Sequence, residues 1–140
     1  MINEPFIFVL GPLLWISLGD IRNRTISHCA CGALLVFWLL FSVIHFEVEQ
    51  IFHHLFIGVI ALMGGFLLYS LQVWGAGDGK LLAICLLWVG DEWPETLFSI
   101  AMLGGGLAGT YLLIRRFSGV SNNLPYGVAI AMGTLYQLSV

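Results

Sequence analysis

Charge is scarce in this sequence. Only 9% of its 140 residues are Asp, Glu, Lys or Arg, 59% are hydrophobic, and the mean hydropathy is +0.97. A soluble domain carries roughly 25% charged residues. The deficit excludes a water-soluble globule of this size and points to an integral membrane protein, with no nucleic-acid partner. Cysteine is also sparse. Cys29, Cys31 and Cys85 make no C-x-x-C pair, which argues against a zinc ribbon or a disulfide framework and for small buried hydrophobes. H-E-x-x-H and G-x-S-x-G are both missing. His28, His45, His53 and His54 read as interfacial residues, and the adjacent pair would point to different sides of a helix. No metal or cofactor is expected. The opening M-I-N-E-P-F has no basic residue ahead of the first apolar run, so that run is expected to be a retained helix and not a cleaved signal.

Six apolar runs are present, at 5–18, 29–46, 51–74, 81–90, 96–114 and 124–138. A spanning helix needs about 20 residues. The second, third and fifth runs meet that length. The first and fourth are short and would cross only by recruiting flanking polar residues or thinning the bilayer. No linker, repeat or low-complexity segment interrupts the chain, which predicts one domain over 1–140, an all-α bundle of six transmembrane helices. Gly11-Pro12 should loosen the first helix. Gly104, Gly105, Gly106 and Gly109 include a G-x-x-x-G pair at 105 and 109, which suits either close packing within the bundle, the favoured reading, or a homodimer.

The charges that remain are sorted by sign. Arg22, Arg24, Lys80, Arg115 and Arg116 fall in one set of alternate loops, while Glu4, Glu47, Glu49, Glu92, Glu95 and Asp91 fall in the other. The positive-inside rule then puts the N-terminus and the C-terminus outside. Two acids break the pattern. Asp20 closes the first run and Asp78 opens the fourth, both on the basic, cytoplasmic side. An ionisable group at that depth is costly and marks a candidate functional site. Brought together, two carboxylates cannot both ionise easily and share a proton. One can then take a proton from water while the other donates to a carbonyl or leaving amine. Gly75, Gly77 and Gly79 leave the backbone around Asp78 open to a close-lying peptide. Simpler roles compete with this one: Asp78 as an N-cap, and Asp20 as an interfacial ion pair with Arg22 or Arg24. The stretch is not a phosphate-binding loop. Trp74 stands where the first glycine is required, and Leu81 where Ser or Thr is required.

Three stretches carry a family resemblance: D-I-R-N-R-T-I at 20–26, G-A-G-D-G-K at 75–80 and L-P-Y-G-V-A-I at 124–130. With them the whole chain resembles the type IV prepilin peptidases, intramembrane aspartyl proteases with a GxGD motif. It looks most like the short members that serve tight-adherence (Flp-type) pilus systems. The resemblance implies that Asp20 and Asp78 are the catalytic pair. It also implies that the partner is a pilin precursor, whose basic leader is removed just after a glycine at the cytoplasmic face of the bacterial inner membrane. Gly75, Gly77, Lys80, Arg22 and Arg24 would support the site, and Pro125 and Gly127 would shape the start of the last helix. Ser27 and His28 stand where many family members have Pro or Asn. The paired C-x-x-C segment of the long members is missing, so peptidase activity without methyl transfer is expected. Five basic residues against two acids on the inner side would not attract a basic leader, which suggests that anionic membrane lipids hold it. The competing function is a small membrane scaffold or proton-coupled transporter subunit, with Asp20 and Asp78 as capping or proton-carrying groups.

Overall fold

The computed structural model describes residues 4–23, 25–72, 74–118 and 126–140. They form six α-helices and a single 3-10 turn, with no strand among the described residues. The helices are α1 Glu4–Asn23, α2 His28–His45, α3 Val48–Ser70, α4 Ala76–Val89, α5 Trp93–Ser118 and α6 Tyr126–Ser139. The 3-10 turn, Gly90–Glu92, joins α4 to α5.

Among the described residues, three helices are long and apolar enough to cross a membrane: Pro5–Asn23, His28–His45 and Val48–Ser70. The first reaches that length by absorbing Gly19–Asn23, polar residues included, past the end of its apolar run. The fourth run extends in the same way, at its start, over Ala76–Lys80. α4 has 14 residues, or about 21 Å at 1.5 Å per residue, against a hydrocarbon core about 30 Å thick. Recruited flanks thus lengthen this helix, as expected, but leave it short of the span. It packs against α2, α3, α5 and α6, and from Leu81 to Val89 every residue except Ile84 is buried. A helix walled by other helices meets little lipid and need not match its thickness.

The outer surface is lined with large apolar side chains, among them Trp15, Leu40, Val43, Phe56, Phe66, Phe98 and Met102. In water such a surface would associate, whereas against hydrocarbon it is solvated. With no hydrophobic drive between helices in lipid, close van der Waals approach must hold the bundle, and small residues permit it. The α3–α4 pair shows how. His54 lies against Gly90, Gly58 against Leu87 and Gly65 against Gly79, an antiparallel register in which one helix descends as the other climbs. A Cβ on Gly65 would stand 2.6 Å from the Gly79 Cα, and one on Gly58 would stand 2.6 Å from Leu87 Cδ2. Gly90 ends α4 at φ +63°, a conformation that favours glycine, and the His54 ring fills the space a side chain would need.

The glycines of α5 behave differently from the sequence reading. Gly105, Gly106 and Gly109 have no described heavy atom within 4 Å of a Cβ built on them, so the G-x-x-x-G pair makes no packing seam among the described residues.

Gly65→Ala should separate α3 from α4 and lower stability in detergent by about 1–3 kcal/mol, the usual penalty of overpacking. Gly64→Ala, next to it but with open space around its Cβ, should be neutral or stabilising by up to about 1 kcal/mol through helix propensity. Thermal or denaturant unfolding of the purified variants checks both.

Candidate active site

On α1 the buried residues Val9, Leu13 and Ile16 are followed at helical spacing by Asp20, only 6% exposed. The stripe of one helix face therefore ends in a carboxylate turned into the bundle. The first turn of α6 comes against it with bare backbone. A Cβ on Gly127 would lie 2.7 Å from Asp20 Oδ2 and 3.1 Å from its Cγ.

Asp78 is held by the start of α4. Gly75 is the N-cap, and Asp78 is the third helical residue. Its Oδ2 accepts the Gly75 N–H at 3.2 Å, and its own N–H donates to the Gly75 carbonyl at 3.1 Å. The competing N-cap role for Asp78 is not what the helix shows, since Gly75 is the cap. The Asp78 side chain reaches back from the first turn to the cap residue, as the acidic partner does in a capping box. That leaves the carboxylate with one Gly75 bond and the rest of its accepting capacity for other groups. Trp74, just before Gly75, lies near Tyr126, just before Gly127, so the two acids, 58 residues apart in sequence, lie at the same end of the bundle.

The surrounding contacts bring the three stretches picked out in the sequence to the same end of the bundle. Ile26, in the connection from α1 to α2, packs on Gly77, where a Cβ would stand 3.1 Å from the Ile26 Cβ. Trp74 and Tyr126 face each other with ring centroids 6.0 Å apart. The buried Gly79 backbone, one residue beyond Asp78, is fixed by the crossing with Gly65. Lys80 is exposed and borders a groove of about 550 Å³ lined with Leu62, Met63, Phe66 and Tyr69 of α3. Arg22 is exposed on the last turn of α1. Arg24, Leu124 and Pro125 lie outside the described residues.

The opposite end of the bundle has other chemistry. His54 donates or accepts through Nδ1 at 2.8 Å from the Leu87 carbonyl and stacks near Phe46 and Trp38. His53 points away from it to Asp91, 2.7 Å distant. Gln137 donates to Glu92 at 3.1 Å. Glu47 and Glu49 start α3 at this end. Among the described residues, Arg22 and Lys80 lie at the end with Asp20 and Asp78, and the glutamates lie at the other.

Sequence reasoning reached Asp20, Asp78, Gly75 and Gly77, and it placed Gly127 at the start of the last helix without its contact to Asp20. It missed Ile26, Gly65, Trp74 and Tyr126 as neighbours of the site. Trp74 immediately precedes the glycine stretch and Tyr126 lies inside the third one, and those positions were the available signal.

Residues 7–114 match the sequence profile of the type IV leader peptidase family. No curated protein and no solved structure matches the chain. The match covers most of the chain and includes both aspartates. The chain belongs to the type IV leader peptidase family.

Proposed function

We propose that this protein is an aspartyl endopeptidase that removes the basic leader from type IV, Flp-like prepilins, cutting just after a glycine. Its six helices would cross the bacterial inner membrane with both termini outside, and the site would face the cytoplasm. What supports this reading is the placement of two acidic side chains, from α1 and α4, at one end of the bundle. Family membership makes a peptidase the expected chemistry, and two carboxylates with a water between them are sufficient for it.

Roles follow from the helix ends. Asp78 lies in the first turn of α4, where the helix dipole and the Gly75 N–H favour an anion. It is the group suited to take a proton from water. Asp20 lies in the last turn of α1, where the dipole disfavours an anion. It is the group suited to hold a proton and deliver it to the carbonyl oxygen or the departing amine. Gly75 and Gly77 leave room for the substrate backbone. Exposed Lys80 and Arg22, with Arg24, would sit among the lipid headgroups, where anionic lipids could hold the leader that these cations repel.

Two experiments test the reading. In cells producing a candidate prepilin, Asp20→Asn and Asp78→Asn should each reduce leader removal to background while the protein still accumulates in the membrane. The double variant should be no worse than either single one, because the two groups act as a unit. Processing that survives either change, seen as the shorter pilin on a gel, contradicts the assignment. Gly127→Ala should slow cleavage roughly 10²-fold by displacing the Asp20 carboxylate, while Gly106→Ala, with open space around its Cβ, should leave the rate unchanged.

A further inference from the structure

The first turn of α4 is poor helix. Gly75 caps it, and Gly77 and Gly79 lie on either side of Asp78. A glycine inside a helix costs about 1 kcal/mol relative to alanine. A terminus of this kind frays unless packing holds it, and Asp78 is part of it. Two contacts hold it. Gly79 rests on Gly65 of α3, and Gly77 takes the side chain of Ile26. The second contact is broad: Cβ, Cδ1 and Cγ1 of Ile26 lie 3.1, 3.3 and 3.5 Å from where a Cβ on Gly77 would stand.

Ile26 is itself held on both sides. The connection from α1 to α2 is only four residues long, 24–27. Its Thr25 carbonyl comes back over α1, to 3.4 Å from where a Cβ on Gly19 would stand. Ser27 caps α2, and its carbonyl accepts the Cys31 N–H at 3.1 Å. Gly19 precedes Asp20, and Gly77 precedes Asp78. One residue of the connection thus lies on the neighbour of the first acid, and the next lies on the neighbour of the second. Isoleucine is stiff at χ1, so it makes a spacer of fixed length. Its partner is bare backbone, with no side chain that can turn aside.

We propose that Ile26 is a positioning residue: through its contact with Gly77 it sets where Asp78 stands relative to Asp20, without touching the substrate. The inference rests on the peptidase reading above. Ile26 is half-buried and packs at the edge of the core, so shortening it removes less packing than a fully buried residue would. The effect falls on the first turn of α4, whose glycines give it little stiffness of its own.

The test uses the full-length enzyme purified in detergent and a prepilin precursor, with kcat and KM measured separately. Ile26→Val removes Cδ1, and Ile26→Ala removes Cγ1 as well. The value of kcat should fall in that order, by roughly 10²-fold in Ile26→Ala, the scale of a 1 Å misplacement, with KM unchanged. Ile51→Ala, the same truncation of a half-buried isoleucine at the other end of the bundle, should alter neither constant. Gly77→Ala should lower kcat by pressing on the same contact from the other side. Adding Ile26→Ala to it should recover part of that loss, because the shortened side chain gives the new methyl room. Unchanged kcat in Ile26→Ala overturns the proposal. So does an equal fall in Ile51→Ala, which indicates a loosened bundle, and so does a rise in KM at constant kcat, which indicates contact with the substrate. Losses at 26 and 77 that simply multiply also overturn it, because they indicate independent sites. If Ile26→Ala does not accumulate, Ile26→Val decides by the same criteria. If the unaltered enzyme shows no Asp78-dependent cleavage, the peptidase reading itself fails and this inference fails with it.

Discussion

Asp20 occupies a position that the packing of α1 reserves for an apolar side chain. It completes the face begun by Val9, Leu13 and Ile16, and almost none of it reaches the surface. An ionised carboxylate removed from water costs several kcal/mol unless other groups compensate. Sharing a proton with a second acid relieves that cost, and it requires the second acid to be held nearby. The rest of the site follows from this requirement. α4 presents Asp78 from its first turn, Gly75 fixes the direction of that side chain, and Gly127 brings α6 up to Asp20 without a side chain between them.

Holding Asp78 in place is a matter of how closely helices approach. In lipid, apolar surface gains nothing by facing protein in preference to hydrocarbon, so the bundle depends on close contact of small residues. Gly58 and Gly65 of α3 let α4 come near enough for the Gly65 and Gly79 backbones to touch. That crossing is one residue from Asp78. The same enclosure explains why α4 can be short: α2, α3, α5 and α6 pack around it, and its residues from Leu81 to Val89 are buried except Ile84. Stability and chemistry thus share the same glycines, and a side chain added at 65 or 127 would disturb an acid as well as a helix contact.

The sorting of charge into alternate loops was legible in the sequence, because each basic or acidic residue stands out against an apolar background. Asp20 and Asp78 were visible for the same reason, being acids on the basic side. The centrality of α4 was not legible. In a soluble bundle the buried face is marked by polar residues opposite it, but here outward-facing Phe56 and Phe66 are as apolar as inward-facing Leu34 and Trp38. Glycines were equally ambiguous. Gly105 and Gly109 have the spacing of a packing motif yet line open space, whereas Gly58 and Gly65, seven apart, make the real seam. Asp78 looked like a helix cap because it precedes the apolar run. The helix in fact begins two residues earlier, among glycines that carry no periodicity to read.

In the proposed reading a pair of acids on separate helices would cut the peptide, and membership of the type IV leader peptidase family fits that chemistry. The most direct measurement is proximity of the two positions in native membranes. With Cys29, Cys31 and Cys85 replaced, a protein carrying Asp20→Cys and Asp78→Cys should be joined efficiently within one chain by a short bifunctional thiol reagent, while Asp20→Cys combined with Asp91→Cys should not. Failure of the first pair to join, or equal joining of the second, would mean that the two acids do not share one end of the bundle, and would contradict the account.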